Sequence, residues 1–169
     1  MRGWKKIWLM AIVTILPMKG SAQLLAVNTD VALLATQTYN IGFEMTVSNR
    51  STLSLAVLGN YHPWVLSDMR CRAVQPEWRY YLSGRSMMSH FVGVSILAAN
   101  YDFTWKEENH HGDAVGAGVT FGYVLPLSER LNIDFHAGVG LVFYNSKEYP
   151  VGSIILPTKI GISLSYIIR

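Results

Sequence analysis

Residues 131–143 read Leu131-Asn132-Ile133-Asp134-Phe135-His136-Ala137-Gly138-Val139-Gly140-Leu141-Val142-Phe143, and their order decides the fold. Every odd position is apolar, while the even positions hold Asn132, Asp134, His136, Gly138, Gly140 and Val142. Successive side chains of a strand point to opposite faces, so this strict period of two predicts a strand with two unlike surfaces. A helix would mix the two classes around its circumference. The run also exceeds the five or six residues usual in a soluble sheet and suffices for a tilted strand crossing a bilayer.

The same pattern recurs on both sides of this segment. Ile160, Ile162, Leu164, Tyr166 and Ile168 alternate with Lys159, Gly161, Ser163 and Ser165. Val115, Ala117, Val119, Phe121, Tyr123 and Leu125 oppose Gly116, Gly118, Thr120 and Gly122. Nearer the front, Ile41, Phe43, Met45 and Val47 oppose Gly42, Glu44 and Thr46, and Leu53, Leu55 and Val57 oppose Ser54, Ala56 and Asn60. Residues 70–82 put Gln75, Glu77 and Arg79 opposite Val74, Pro76, Trp78 and Tyr80. Residues 24–35 alternate with Asn28 and Asp30 on the polar face, and residues 89–101 are fairly apolar on both faces. Eight strands result, most of 9–13 residues.

Their connections alternate in length. Ser48 to Ser51, Ser83 to Met88 and Pro126 to Arg130 are short, polar and turn-like. Longer links are expected at about 63–69, 102–113 and 145–157, while the link at Ala35 to Thr38 is short. Short turns at one end and longer loops at the other are the layout of an outer-membrane barrel, with both termini at the short-turn end.

Period two alone fits a soluble, lipocalin-like barrel equally well, since the two differ only in which face is inside. The polar face is dominated by Gly, Ser and Ala rather than by Lys, Glu and Thr, which favours a narrow lumen over a solvated exterior. Glycines 42, 93, 116, 118, 122, 138, 140 and 161 fall within strands, where they suit a close approach of large neighbours. Tyr39, Tyr61, Trp64, Tyr80, Tyr81, Tyr101, Tyr123, Tyr144 and Tyr166 lie near strand ends, as expected of interfacial girdles.

The first residues form an address. Arg2, Lys5 and Lys6 precede the apolar run Ile7 to Leu16, and Gly20-Ser21-Ala22 precedes Gln23. This is the layout of a secretory signal peptide, with cleavage expected after Ala22, leaving a barrel domain at 23–169. The chain of 169 residues has a formal charge of +3, from 14 Lys+Arg and 11 Asp+Glu. Removing Arg2, Lys5, Lys6 and Lys19 leaves 10 against 11, a net charge of −1, and removes the case for a nucleic-acid partner. Half the residues are apolar and 15% are charged, against about 25% in soluble domains. The lone Cys71 forms no intramolecular disulfide and no multi-cysteine metal site.

Several blocks carry a resemblance. They are Tyr61-His62-Pro63-Trp64, Val74-Gln75-Pro76-Glu77-Trp78-Arg79-Tyr80-Tyr81-Leu82, His90-Phe91-Val92-Gly93, and Pro157-Thr158-Lys159 leading into Ser163 to Arg169. In these, from about residue 24 to the end, the sequence resembles a Bacteroidetes family catalogued as domain of unknown function 3575, grouped with membrane β-barrels. The resemblance implies an outer-membrane location and a setting near fimbrillin-type surface-fibre genes, and it supplies no catalytic residues. Many relatives carry a Cys pair in the final long loop, which residues 145–157 lack.

Candidate chemistry is weighed on the polar face. Asp134 and His136, with Ser163 and Ser165 on the neighbouring strand, are the parts of a Ser/His/acid hydrolase such as a lipid-modifying enzyme. On a lumen face they are better read as structural pairing. Glu107, Glu108, His110, His111 and Asp113 resemble a metal cluster but match no tight ligand spacing. The expected site is therefore a structural lumen network of Glu44, Glu77, Arg79, Asp134, His136 and Lys159, with no cofactor and no metal. The whole reads as an eight-stranded antiparallel up-and-down transmembrane β-barrel without enzymatic activity. It would serve as an anchor, assembly accessory or surface scaffold through its loops. Its expected partners are outer-membrane lipid, the barrel-insertion machinery and fimbrillin-type surface-fibre proteins. Eight strands leave a lumen that side chains fill, too narrow for a diffusion pore.

Overall fold

A computed structural model describes residues 24–60, 69–105, 108–146 and 152–168. The expected leader, the Tyr61-to-Trp64 block and Glu107 lie outside the described residues. Eight strands, β1 (Leu25–Asp30), β2 (Tyr39–Ser48), β3 (Ser51–Asn60), β4 (Met69–Tyr81), β5 (Ser89–Trp105), β6 (Glu108–Pro126), β7 (Leu131–Ser146) and β8 (Gly152–Ile168), form a closed barrel in chain order. Every neighbouring pair is antiparallel, and β8 closes on β1 from Leu25↔Ile168 to Asp30↔Ser163. The turns after β2, β4 and β6 lie at the end that holds both termini of the barrel.

Burial is inverted relative to a water-soluble protein. Among the described residues, seventeen polar or charged residues are buried against nine apolar ones, and exposed large hydrophobics far outnumber both. The inward rows join directly across strands, as in Glu44↔Ser54↔Glu77↔Ser95↔Gly118↔Gly140. On the outer wall, β6 is apolar from Val115 to Leu125, about 25 Å of height at about 3.3 Å per residue and a tilt near 40°. That equals the apolar belt of a membrane barrel. β5, apolar on both faces by sequence, is oriented by its pairing: Phe91, Gly93 and Ser95 face in, and Val92, Val94 and Ile96 face out.

The structure differs from the sequence expectation in four places. Residues 24–35 are not one strand: β1 ends at Asp30, and Val31–Ala35 form a short helix, α1. The Asp30 side chain accepts the Leu33 N–H at 3.0 Å, a local hydrogen bond that competes with continued extension. The link at 102–113 is not a loop, because β5 and β6 stay paired from Asp102↔His111 to Trp105↔Glu108. Likewise, the 145–157 link is strand wherever it is described. Finally, three tyrosines of the expected girdle belong to inward rows: Tyr81 is fully buried in the lumen against Phe91 and Val124, and Tyr101 and Tyr144 pair the inward Gly112 and Ala114.

Two irregularities shape the interior. Gly138 pairs Lys159 while Val139 pairs Pro157, so Thr158 is an extra residue in β8. This bulge switches the inward set from Leu156 to Lys159 and its odd successors. At the short-turn end, residues 82–88 fold under the barrel, where Met87 packs with Ala26 and Ile167. The buried Asn132 amide donates to the Met87 carbonyl at 3.1 Å and holds that floor in place.

Candidate functional site

The charged centre grows from the two alternating faces. Gln75, Glu77, Arg79 and Tyr81 follow one another on the inner face of β4, and Asp134 and His136 do so on β7. Large side chains from these strands fit because the facing wall is built from small residues. A Cβ on Gly161 would overlap the Asp30 carboxylate, and one on Gly93 would come within 2.7 Å of Glu77 Oε1. A Cβ on Gly122 would collide with the Phe91 ring.

Arg79 is the hub. Its Nε donates to Glu77 Oε2 at 2.8 Å, and its Nη1 donates to Glu44 Oε2 at 3.0 Å and to Asp134 Oδ2 at 2.8 Å. Its guanidinium also lies 4.4 Å from the Phe91 ring centre, a cation–π position. Three carboxylates from β2, β4 and β7 thus meet one planar cation, whose fixed fork of donors suits several acceptors at once. Lys159 Nζ reaches the same Glu77 oxygen at 2.8 Å. Glu44 is further held by Thr52 Oγ1 at 2.6 Å and by the Tyr81 hydroxyl at 2.7 Å.

His136 stands between two acids, with Nε2 3.1 Å from Asp30 Oδ2 and Nδ1 3.5 Å from Asp134 Oδ1. A neutral imidazole has one N–H and serves one of these carboxylates; an imidazolium serves both. Ser163 is buried on the same inner face, opposite Asp134 on β7 and Asp30 on β1. The structure brings all six sequence-chosen residues (Glu44, Glu77, Arg79, Asp134, His136 and Lys159) into one connected cluster. Sequence reasoning missed Asp30 and Tyr81 as members. Asp30 was already on the polar face of its strand, whereas Tyr81 was mistaken for an interfacial aromatic. Of the acidic and histidine residues between 107 and 113, only His111 and Asp113 have described side chains. His111 and Asp113 point outward from β6, where Asp113 accepts from Asn100 Nδ2 at 2.9 Å.

Above this layer the lumen holds a cavity of about 300 Å³, lined by Asp30, Leu33, Gln75, Arg79, His136 and Lys159 among others. A larger hollow of about 920 Å³ is lined mostly by outward-facing residues, among them Ile41, Val57, Val74 and Val115. Below the layer, Tyr81, Phe91 and Val124 form an apolar plug. The lumen is therefore blind toward the short-turn end.

Fold and site together define a small β-barrel with an apolar wall and an ion-paired interior. The chain belongs to the family described as "Protein of unknown function (DUF3575)", which it matches over residues 7–168. Among solved structures, the crystal structure of Neisserial surface protein A (NspA) is similar at 13% identity and a TM-score of 0.48, covering 88% of this chain and 99% of that one. No curated protein matches the sequence.

Proposed function

We propose that the mature protein, freed of residues 1–22, is a small non-enzymatic barrel of the outer membrane. It anchors or presents a surface feature at its long-strand end, in the manner of an assembly accessory or interaction scaffold. The observation that carries this reading is the inverted distribution of polarity: an apolar wall about 25 Å high around a buried hub of Arg79 and three carboxylates. A lipocalin-like soluble barrel needs the reverse arrangement, with apolar residues inside. The hydrolase alternative is disfavoured by His136, whose two nitrogens are engaged by carboxylates rather than by a serine. An association with fimbrillin-type surface fibres rests on the family resemblance alone.

The deciding experiment is cell fractionation combined with gel mobility before and after boiling. Recovery in the detergent-extracted outer-membrane fraction, with faster migration of the unboiled form, supports the barrel. Soluble periplasmic recovery without heat-modifiable migration overturns it. Deleting the gene and imaging surface fibres tests the accessory role; normal fibres count against it. Unchanged lipid profiles in Asp134→Ala and His136→Ala cells would agree with the absence of lipid chemistry.

A further inference from the structure

The three short turns share one four-residue pattern. They read Val47-Ser48-Asn49-Arg50, Leu82-Ser83-Gly84-Arg85 and Leu127-Ser128-Glu129-Arg130: a large apolar residue, a serine, a variable residue and an arginine. The apolar residue continues the outward row of its strand, and Val47, Leu82 and Leu127 are all exposed. The serine shapes the turn. Ser48 Oγ and Ser128 Oγ each accept the N–H of the arginine two residues on, at 3.3 Å, and the Ser83 hydroxyl donates to the Arg85 carbonyl at 3.2 Å. Arg50, Arg85 and Arg130 are exposed in turn.

Two of these turns are joined. The Tyr81 N–H donates to the Arg50 carbonyl at 2.7 Å, and the hydroxyls of Thr46 and Ser86 lie 3.2 Å apart. Arg50 Nη1 is 3.4 Å from the Tyr80 hydroxyl, and its guanidinium borders Gly84, the residue before Arg85. Neither turn contains an acid, so Arg50 and Arg85 share one side of the rim without a carboxylate in their own turns. The opposite end of the barrel is mixed: Arg70 stands opposite Asp102, and Arg72 shares a row with Asn100 and Asp113.

We propose that this rim binds the headgroups of anionic phospholipids in the leaflet at the short-turn end, with Arg50 and Arg85 as its strongest seat. The proposal rests on the membrane-barrel reading above and adds a lipid class and a leaflet to it. The pattern follows the order of a membrane interface. The last outward apolar residue meets the edge of the hydrocarbon, and a long cationic side chain three residues later reaches the phosphates. All three cations are arginine, whose planar fork takes two oxygens of one phosphate. Trp78 and Tyr80, with ring centres 6.3 Å apart on the outer face of β4, border the same rim as interfacial aromatics. The exposed apolar residue in every turn selects lipid over a soluble acidic partner.

The test places the mature chain in mixed vesicles of phosphatidylcholine and phosphatidylglycerol, with one or the other lipid brominated on its acyl chains. Trp78, 45% exposed on the wall, is the reporter, and Trp64→Phe and Trp105→Phe silence the other tryptophans of the mature chain. One basic side chain at an anionic surface is worth roughly fivefold in binding, so quenching should show a preference for phosphatidylglycerol of at least about threefold. Arg50→Gln with Arg85→Gln should bring the ratio close to one, whereas Arg50→Lys with Arg85→Lys should keep it above about twofold. Arg70→Gln with Arg72→Gln removes the same charge from the other end and should leave it unchanged. Salt at about 1 M screens exposed charges and should abolish the preference without any substitution. A wild-type ratio near one overturns the rim, as does a preference that ignores salt, survives the Arg50 and Arg85 glutamines, or falls equally with those at Arg70 and Arg72. Gel mobility of the same vesicles separates the two levels. An inserted, heat-modifiable barrel without lipid preference refutes the rim alone, and a chain that fails to insert refutes the barrel as well.

Discussion

Replacing Arg79 by Ala removes the one cation that Glu44, Glu77 and Asp134 share within 3.0 Å. Three carboxylates then face one another in a space where each is at most 4% exposed. Removing one partner of a buried pair typically costs about 3–5 kcal/mol, chiefly because the remaining charge is left unpaired. Lys159 holds Glu77 and softens the loss there, which places the expected value near 4 kcal/mol. With a urea slope of about 2 kcal/mol/M, the unfolding midpoint of the refolded barrel should fall by about 2 M. Heat-modifiable mobility across a urea series measures this. Arg79→Lys keeps the charge but cannot fork to three acceptors, so it should fall between wild type and Arg79→Ala. The combination Arg79→Met, Glu44→Gln, Asp134→Asn should recover much of the loss, because no uncompensated carboxylate remains beside Glu77 and Lys159. A midpoint for Arg79→Ala within 0.3 M of wild type would refute the hub (a shift of about 0.6 kcal/mol at that slope). So would a triple variant no more stable than the single one.

Three further outcomes are expected. Gly161→Val should destabilise by about 1–3 kcal/mol, since its side chain needs the space of the Asp30 carboxylate, while Gly59→Ala, whose nearest neighbour is 3.7 Å away, should be tolerated in the same urea series. Phe121→Arg places a charge on the apolar wall and should cost about 2–4 kcal/mol in liposomes, against about 0–1 for Asp113→Arg at the upper edge of the belt; equal costs would contradict a lipid-facing wall. Asn132→Ala strands the Met87 carbonyl, with a cost of about 1–3 kcal/mol, and should expose Arg85 in the floor turn to trypsin, read as faster nicking between β4 and β5.

Much of the architecture is legible along the chain because the strand period is local. Leu131 to Phe143 declares its two faces without reference to any other segment, and the excess of Gly and Ser on one face already indicates a crowded interior. The charged set is legible for the same reason: Glu77 and Arg79 are two apart, so they share a face wherever the strand goes. The boundaries were less so. Asp30 continues the alternation of β1, yet its carboxylate caps Leu33 and ends the strand. Residues 102–113 are polar enough to read as a loop, but pairing between β5 and β6 sustains them as strands.

Alternation by itself determined the number of strands, their order and the composition of each face. Closure of the barrel decided what those faces do. Arg79 and Asp134 are 55 residues apart and meet only because β4 and β7 stand across one lumen. Tyr81 shares the parity of Glu77 and Arg79, but closure set it against Phe91 and Val124 in the lumen. Leu156 became a lumen residue because the extra residue at Thr158 shifts the register of β8 ahead of Lys159. The unequal lengths of β1 and β8 belong to the same class. A strand's period is written in its own residues, whereas partner, register and wall height are properties of the closed sheet.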